Sequence, residues 1–185
     1  MKKGIIATVG LLLVGWVLWQ LMRPTALPQT MPEMTRFSPD QVASVMLKRG
    51  AEATLLLSLH DDVWMVANGQ TDLVWNRADE SSVFRLLDDL AGMNSLRVVT
   101  RNPERYEQLR VGDASIEVML KDSSDKTLLH VRVGKQGSDL ISTYVRFENG
   151  VEVVAVDRAL VWQVNRSYRG WEASEPKTDS GKTEQ

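Results

Sequence analysis

Residues 141–156 read Ile-Ser-Thr-Tyr-Val-Arg-Phe-Glu-Asn-Gly-Val-Glu-Val-Val-Ala-Val, and this stretch decides the fold. Two runs rich in β-branched residues, Ile141–Phe147 and Val151–Val156, flank Asn149-Gly150. Asn-Gly suits the positive φ angles of a tight turn, so the segment predicts an antiparallel hairpin. Working outward, the same grammar recurs. Ser115–Leu120 and Thr127–Val133 are joined by the polar turn Lys121–Lys126, and Ile116, Val118 and Leu120 alternate as a sheet with one covered face requires. Val42–Lys48 and Ala53–His60 precede the turn His60-Asp61-Asp62, which leads into Val63–Val66. Asn68-Gly69 then returns the chain through Asp72–Trp75 as a second expected hairpin.

Two helices interrupt the strands. Asp79 is placed to cap a helix to about Ala91, with Val83, Leu86, Leu87 and Leu90 at i, i+3, i+4 and i+7, and Gly92 supplies the stop. Asp157 is placed to cap another through about Asn165 that buries Leu160, Val161 and Val164. Asn102-Pro103-Glu104 marks a further helix start. The expected class is α+β: an antiparallel sheet of hairpins with two or three short helices on one face, preceded by a single transmembrane helix.

That last element comes from Gly4–Met22, a 19-residue stretch without a charged group. As a helix it would span roughly 28 Å, close to the hydrocarbon thickness of a bilayer. A cleavable signal peptide competes with this reading, but its apolar region is normally about 7–15 residues long and ends at a small-x-small site. Gln20–Pro24 supplies no such site. Lys2 and Lys3 precede the span and only Arg23 follows it closely, which predicts a cytoplasmic N-terminus and an exported bulk. Trp16 and Trp19 fall where indoles would rest at the outer interface. The expected place is therefore a bacterial inner membrane, single-pass, with the C-terminal domain in the periplasm. The bilayer itself is the first partner. Gly10 and Gly15 stand five residues apart, a spacing that does not align two small residues for helix dimerisation.

Prolines at 24, 28 and 32 make an extended tether, and Glu172–Gln185 is almost free of apolar residues. The organisation expected is a stub at 1–3, an anchor at 4–22, a tether at 23–36, an exported domain at 37–171 and a disordered tail at 172–185.

The chain has 185 residues, 22 basic and 24 acidic side chains, and no cysteine. The first 23 residues hold only positive charges, leaving residues 24–185 with 19 basic against 24 acidic. An acidic exported part argues against nucleic acid as a partner. The lack of cysteine excludes disulfides, thiolate metal sites and a cysteine nucleophile, and it suits an oxidising compartment.

No catalytic constellation stands out, and the expectation is a protein that is not an enzyme and carries no cofactor. His60 and His130 are the only imidazoles, too few for a convincing metal site. A hydrolase would have to be built on His60 and Asp62. Ser123–Lys126 fits S-x-x-K but reads as a polar turn, and Asp88-Asp89 as a solvated helix edge. Arg97, Arg101, Arg105 and Arg110 form a local basic stretch that could dock an anionic partner. Of the four tryptophans in the exported part, Trp75 and Trp171 are the candidates for ligand stacking.

The order of these features resembles a bacterial family catalogued as domain of unknown function 4340. It is carried by Val63–Val66, the helix Asp79…Leu86-Leu87-Asp88-Asp89-Leu90, Tyr106-Glu107-Gln108-Leu109 before Val111-Gly112, Val131-Arg132-Val133-Gly134, Ser142–Arg146 and Val151–Val156. It covers about residues 41–165. The resemblance implies a membrane-anchored exported protein, with some relatives linked by gene neighbourhood to gliding-motility-type ABC transporters. It implies an accessory or binding role within a membrane protein complex and no catalytic residues. Relatives with more than one copy of the unit suggest that this shorter chain, for any function needing two, would act as a homodimer. A carbohydrate- or peptidoglycan-binding domain using exposed tryptophans is the alternative expectation.

Overall fold

A computed structural model of the chain describes residues 36–50, 53–69 and 73–174. The expected anchor at 4–22 with Trp16 and Trp19, and most of the tether and tail, lie outside the described residues. Among the described residues no helix is long and apolar enough to cross a membrane.

The domain is an antiparallel α+β fold. Among the described residues nine strands run β1 (Ser44–Arg49), β2 (Ala53–His60), β3 (Val63–Asn68), β4 (Trp75–Arg77), β5 (Ser95–Thr100), β6 (Ile116–Lys121), β7 (Thr127–Gln136), β8 (Thr143–Phe147) and β9 (Val153–Val156). Three α-helices of the described residues, α1 (Glu80–Ala91), α2 (Tyr106–Leu109) and α3 (Val161–Val164), lie between or after them. The strands form one sheet in the order β4-β3-β2-β1-β6-β7-β8-β9-β5. It is two meanders, β1–β4 and β6–β9, joined edge to edge by the pairing of β1 with β6.

Connectivity explains the layers. After β4, at one edge, the chain must reach β5, at the other. It does so through α1, which crosses one face and buries Val83, Leu86, Leu87 and Leu90 as the periodicity predicts. That face is lined by alternate strand residues, among them Leu47, Leu57, Trp64, Val118, Val131, Val145 and Val154, joined by Leu160, Val164 and Trp171. From β5 the chain must return to β6 in the middle of the sheet. Residues 101–113 take it back over the opposite face, where Leu109 and Val111 pack on Tyr144, Val153 and Ala155. These three alternate with Val145, Val154 and Val156 and so point the other way. The expectation of all helices on one face is therefore corrected: α1 and α3 share a face, and α2 belongs to a strap across the other. A route that ends next to β1 cannot use the face α1 already fills.

Two turns differ from expectation. Neither Gly69 nor Gly150 adopts positive φ; among the described glycines only Gly50 does. The Asn149-Gly150 connection is a five-residue loop closed by Gly150 N–H on the Phe147 carbonyl at 2.9 Å. After Asn68 the return strand is Trp75–Arg77 instead of 72–75, with Leu73 and Val74 exposed. The tight two-residue hairpin is at Asp61-Asp62, both at positive φ (48° and 64°), between the paired His60 and Val63. Asp157 does not cap α3, a single turn that starts after Leu160. Its carboxylate instead accepts from the Asn94 backbone N–H at 2.7 Å and side-chain amide at 3.1 Å, tying the start of β5 to the end of β9. Glu172 and Ala173, assigned by composition to the tail, pair with Ala78 and Arg77 and cover the outer edge of β4.

Candidate functional site

The strap covers only the β5–β9–β8–β7 half of its face. The other half, over β4, β3, β2, β1 and β6, has no covering element among the described residues. Register places one row of side chains across it: Trp75, Ala67, Leu56, Met46, Met119 and His130 are successive cross-strand partners. Leu56, Met46 and Met119 are half-buried and floor a groove of about 260 Å³. Trp75 forms one wall, its ring 4.8 Å from the His60 ring. The adjacent row supplies Ser44, Ser58 and Lys121, and the Lys121 ammonium lies 2.8 Å from Asp125. The groove is thus an apolar floor with a few polar groups at the rim, the usual make-up of a binding site. Methionine is unbranched and polarizable, so such a floor adapts to the shape laid on it.

Toward the strap the same face turns polar. His130 Nε2 lies 2.7 Å from Glu117 Oε1, an acidic neighbour that is distant in sequence and arrives through the β6–β7 register. A smaller cavity of about 190 Å³ is lined by Lys48, Gly50, Asp113, Ser115, Glu117 and Arg132. Arg132 ties the strap to the β8–β9 loop: it donates to Glu148 at 2.8 Å and to the Gly112 carbonyl at 3.2 Å. The Arg132 hydrogen bond holds the Glu148 carboxyl below its ordinary value, and Glu148 raises the Arg132 guanidinium in turn. Arg146 donates to the Val111 carbonyl at 3.1 Å and stands 4.7 Å over the Tyr106 ring. Gly134 lets the strap approach, since a Cβ there would lie 2.4 Å from the Leu109 carbonyl oxygen. The Tyr106–Gly112, Val131–Gly134 and Ser142–Arg146 motifs are therefore the fastening of strap to sheet.

The residues singled out from sequence do not converge. Arg97 lies on edge strand β5, Arg101 just beyond it, Arg105 in a 3-10 turn, and Arg110 caps α2 at positive φ. All four are exposed, and Arg101 is engaged by Glu152 at 2.6 Å. Trp171 is a correction: it is 0% exposed, in the main core, beneath the Arg166 guanidinium at 5.0 Å. A side chain with no accessible surface is no stacking platform. The exposed indole of that segment is Trp162, at 52%. Trp75 keeps an open side and belongs to the groove. Sequence reasoning missed Met46, Leu56 and Met119 because it followed the phase of the strands that fills the core. The signal was there in the methionines on the alternate phase.

Asp88 and Asp89 part company. Asp88 is exposed, while Asp89 meets Arg158 at 3.6 Å and accepts from the Gln163 amide. Ser124 of the S-x-x-K stretch is bound to Asp122, its N–H at 2.9 Å and its hydroxyl at 2.7 Å, within the β6–β7 turn.

No curated protein and no solved structure matches the chain. Residues 64–177, more than half of it, match the family described as "Domain of unknown function (DUF4340)". The match starts at Trp64 instead of residue 41 and spans α1, the strap and the second meander. The chain belongs to the DUF4340 family.

Proposed function

We propose that this protein is a non-catalytic, membrane-anchored periplasmic accessory domain, a subunit of an envelope or ABC-transporter-associated complex. Its partner lays an apolar segment into the groove floored by Met46, Leu56 and Met119. The observation that carries this reading is the half-covered sheet face: one half is fastened under the strap, and the other presents a preformed apolar groove on rigid strands. The uncharged Gly4–Met22 stretch supports a place beside membrane proteins. Purification of the full chain in mild detergent tests it. The reading expects a stoichiometric membrane partner that is lost at least tenfold from Leu56→Asp and retained by Leu56→Met; a partner-free monomer counts against it.

A second reading is favoured by Trp75. A half-exposed indole beside Ser44, Ser58 and Lys121 is also a sugar-stacking arrangement. It expects peptidoglycan fragments to quench the fluorescence of the full chain and Trp75→Ala to remove that response; absence of quenching rejects it.

A further inference from the structure

A different part of the molecule carries a second surface. At one end of the sheet, Gln136, Thr143, Val156 and Ser95 are cross-strand partners in a row. The loop that joins β7 to β8 at this end exposes Leu140 and Ile141 at 73% and 66%. Large aliphatic groups are normally driven out of water, and here two adjacent ones are held in it by construction. Leu140 has φ of +60°, a conformation that a leucine side chain disfavours. Among the described residues the other non-glycine positions at positive φ are three aspartates and an arginine.

The loop around them is fully braced. Asp139 Oδ1 accepts from the Ile141 N–H at 3.1 Å, the Ser142 N–H at 2.8 Å and the Ser142 hydroxyl at 2.8 Å. Gly137 N–H donates to the Ser142 carbonyl at 2.8 Å, and the Gln136 amide to the Leu140 carbonyl. Ordering is therefore complete before anything binds, which removes much of the entropic cost of docking.

We infer that the Leu140–Ile141 tip is a preorganised plug that inserts into an apolar pocket of a partner protein. Charge selects this occupant over a bilayer. The tip loop, residues 137–142, holds one charge, the carboxylate of Asp139, and the nearest cation in sequence, Lys135, is half-buried on β7, whereas surfaces that enter anionic lipid carry exposed cations beside their apolar groups. The exposed carboxylate next to the tip matches a pocket with a basic rim. This inference stands apart from what the groove binds.

The test uses the full chain in its native membrane, with a photo-crosslinking amino acid at position 140 or 141 and a control at Thr127, the other end of β7. The expected result is one adduct heavier than the monomer from 140 and 141 and none from 127. Its partner-side peptide is expected to be apolar, and its yield to fall at least tenfold in Ile141→Asp but not in Ile141→Leu. Leu140→Gly separates this role from a structural one: it relieves the positive φ, so the melting temperature holds or rises while the 141 adduct is lost. An adduct of dimer mass would assign the tip to a second copy and overturn the proposal, as would no adduct or a polar partner peptide. The chain has no cysteine, so a fluorophore on Leu140→Cys is a unique label. Its quenching by spin-labelled lipid in nanodiscs would place the tip in the bilayer and equally overturn it.

Discussion

Arg146 reaches across the second face of the sheet to Tyr106, its guanidinium carbon 4.7 Å from the ring centroid and its Nε donating 3.1 Å to the Val111 carbonyl. One side chain thereby holds both ends of the turn that closes the strap. Tyr106 completes the clamp by donating its hydroxyl to the Val151 carbonyl at 2.6 Å. Removing that hydroxyl in Tyr106→Phe should cost about 1 kcal/mol, the net worth of one such bond. Arg146→Ala should cost more, and a double-mutant cycle of Arg146→Ala with Tyr106→Leu, which removes the ring, should show coupling of about 0.5–1 kcal/mol. Urea denaturation of the four proteins measures it.

Gly134 is the other half of the fastening. A methyl group there would meet the Leu109 carbonyl oxygen at 2.4 Å and Val111 Cγ1 at 2.5 Å. Backbone cannot rotate aside as a side-chain end can, so Gly134→Ala should lose at least about 2 kcal/mol. Faster hydrogen exchange in residues 103–112, with the α1 amides unchanged, would locate the damage in the strap.

Thr143 is fully buried, and its Oγ1 does two jobs. It accepts from the Leu160 N–H at 3.0 Å and donates to the Arg158 carbonyl at 2.7 Å, fixing the chain that enters α3. Thr143→Val keeps the shape but strands both backbone groups, so a loss of about 2–3 kcal/mol is expected. Thr143→Ser keeps the bonds and should lose only about 1 kcal/mol for the missing methyl. Thermal unfolding of both variants gives the comparison.

Acid should weaken the domain. Glu148 lies below its ordinary value because Arg132 binds it. For Asp157, burial pushes upward but is outweighed by Asn94 and Arg158. Ser82 leads the causes that lower Asp79. A carboxyl with a lowered folded value binds fewer protons folded than unfolded. Its stabilisation is therefore complete above the unfolded value, about 4, and is lost as pH falls through the folded one. Urea midpoints should decline as pH falls below about 4. Glu148→Gln should be less stable at neutral pH and show a shallower decline.

These residues divide by how visible they were in the sequence. The α1 stripe and the core phase of the strands were legible because each is a local period. The Asp61-Asp62 turn was legible as a turn, but not as the tight one; that role went to Asn-Gly by propensity, and loop length overrode it. β5 carries no strand signal in the sequence, because Leu96 and Arg97 break its alternation at a register shift. The strap and the Glu117–His130 pair depend on which strands become neighbours, a fact of topology that no window of sequence contains. For the same reason Trp75 and Trp171 looked alike. The first lies on the open face, and the second in the core. Trp171→Ala should cost about 3–5 kcal/mol; Trp75→Ala should cost less than half of that by the same denaturation assay.

The groove carries the central claim, and its direct test is partner retention by the full chain solubilised in mild detergent from its native membrane. Wild type and Leu56→Met should carry a membrane partner at fixed stoichiometry, while Leu56→Asp, still folded by circular dichroism, should lose it at least tenfold. Equal retention by all three, or a wild-type chain that emerges alone, would contradict the account.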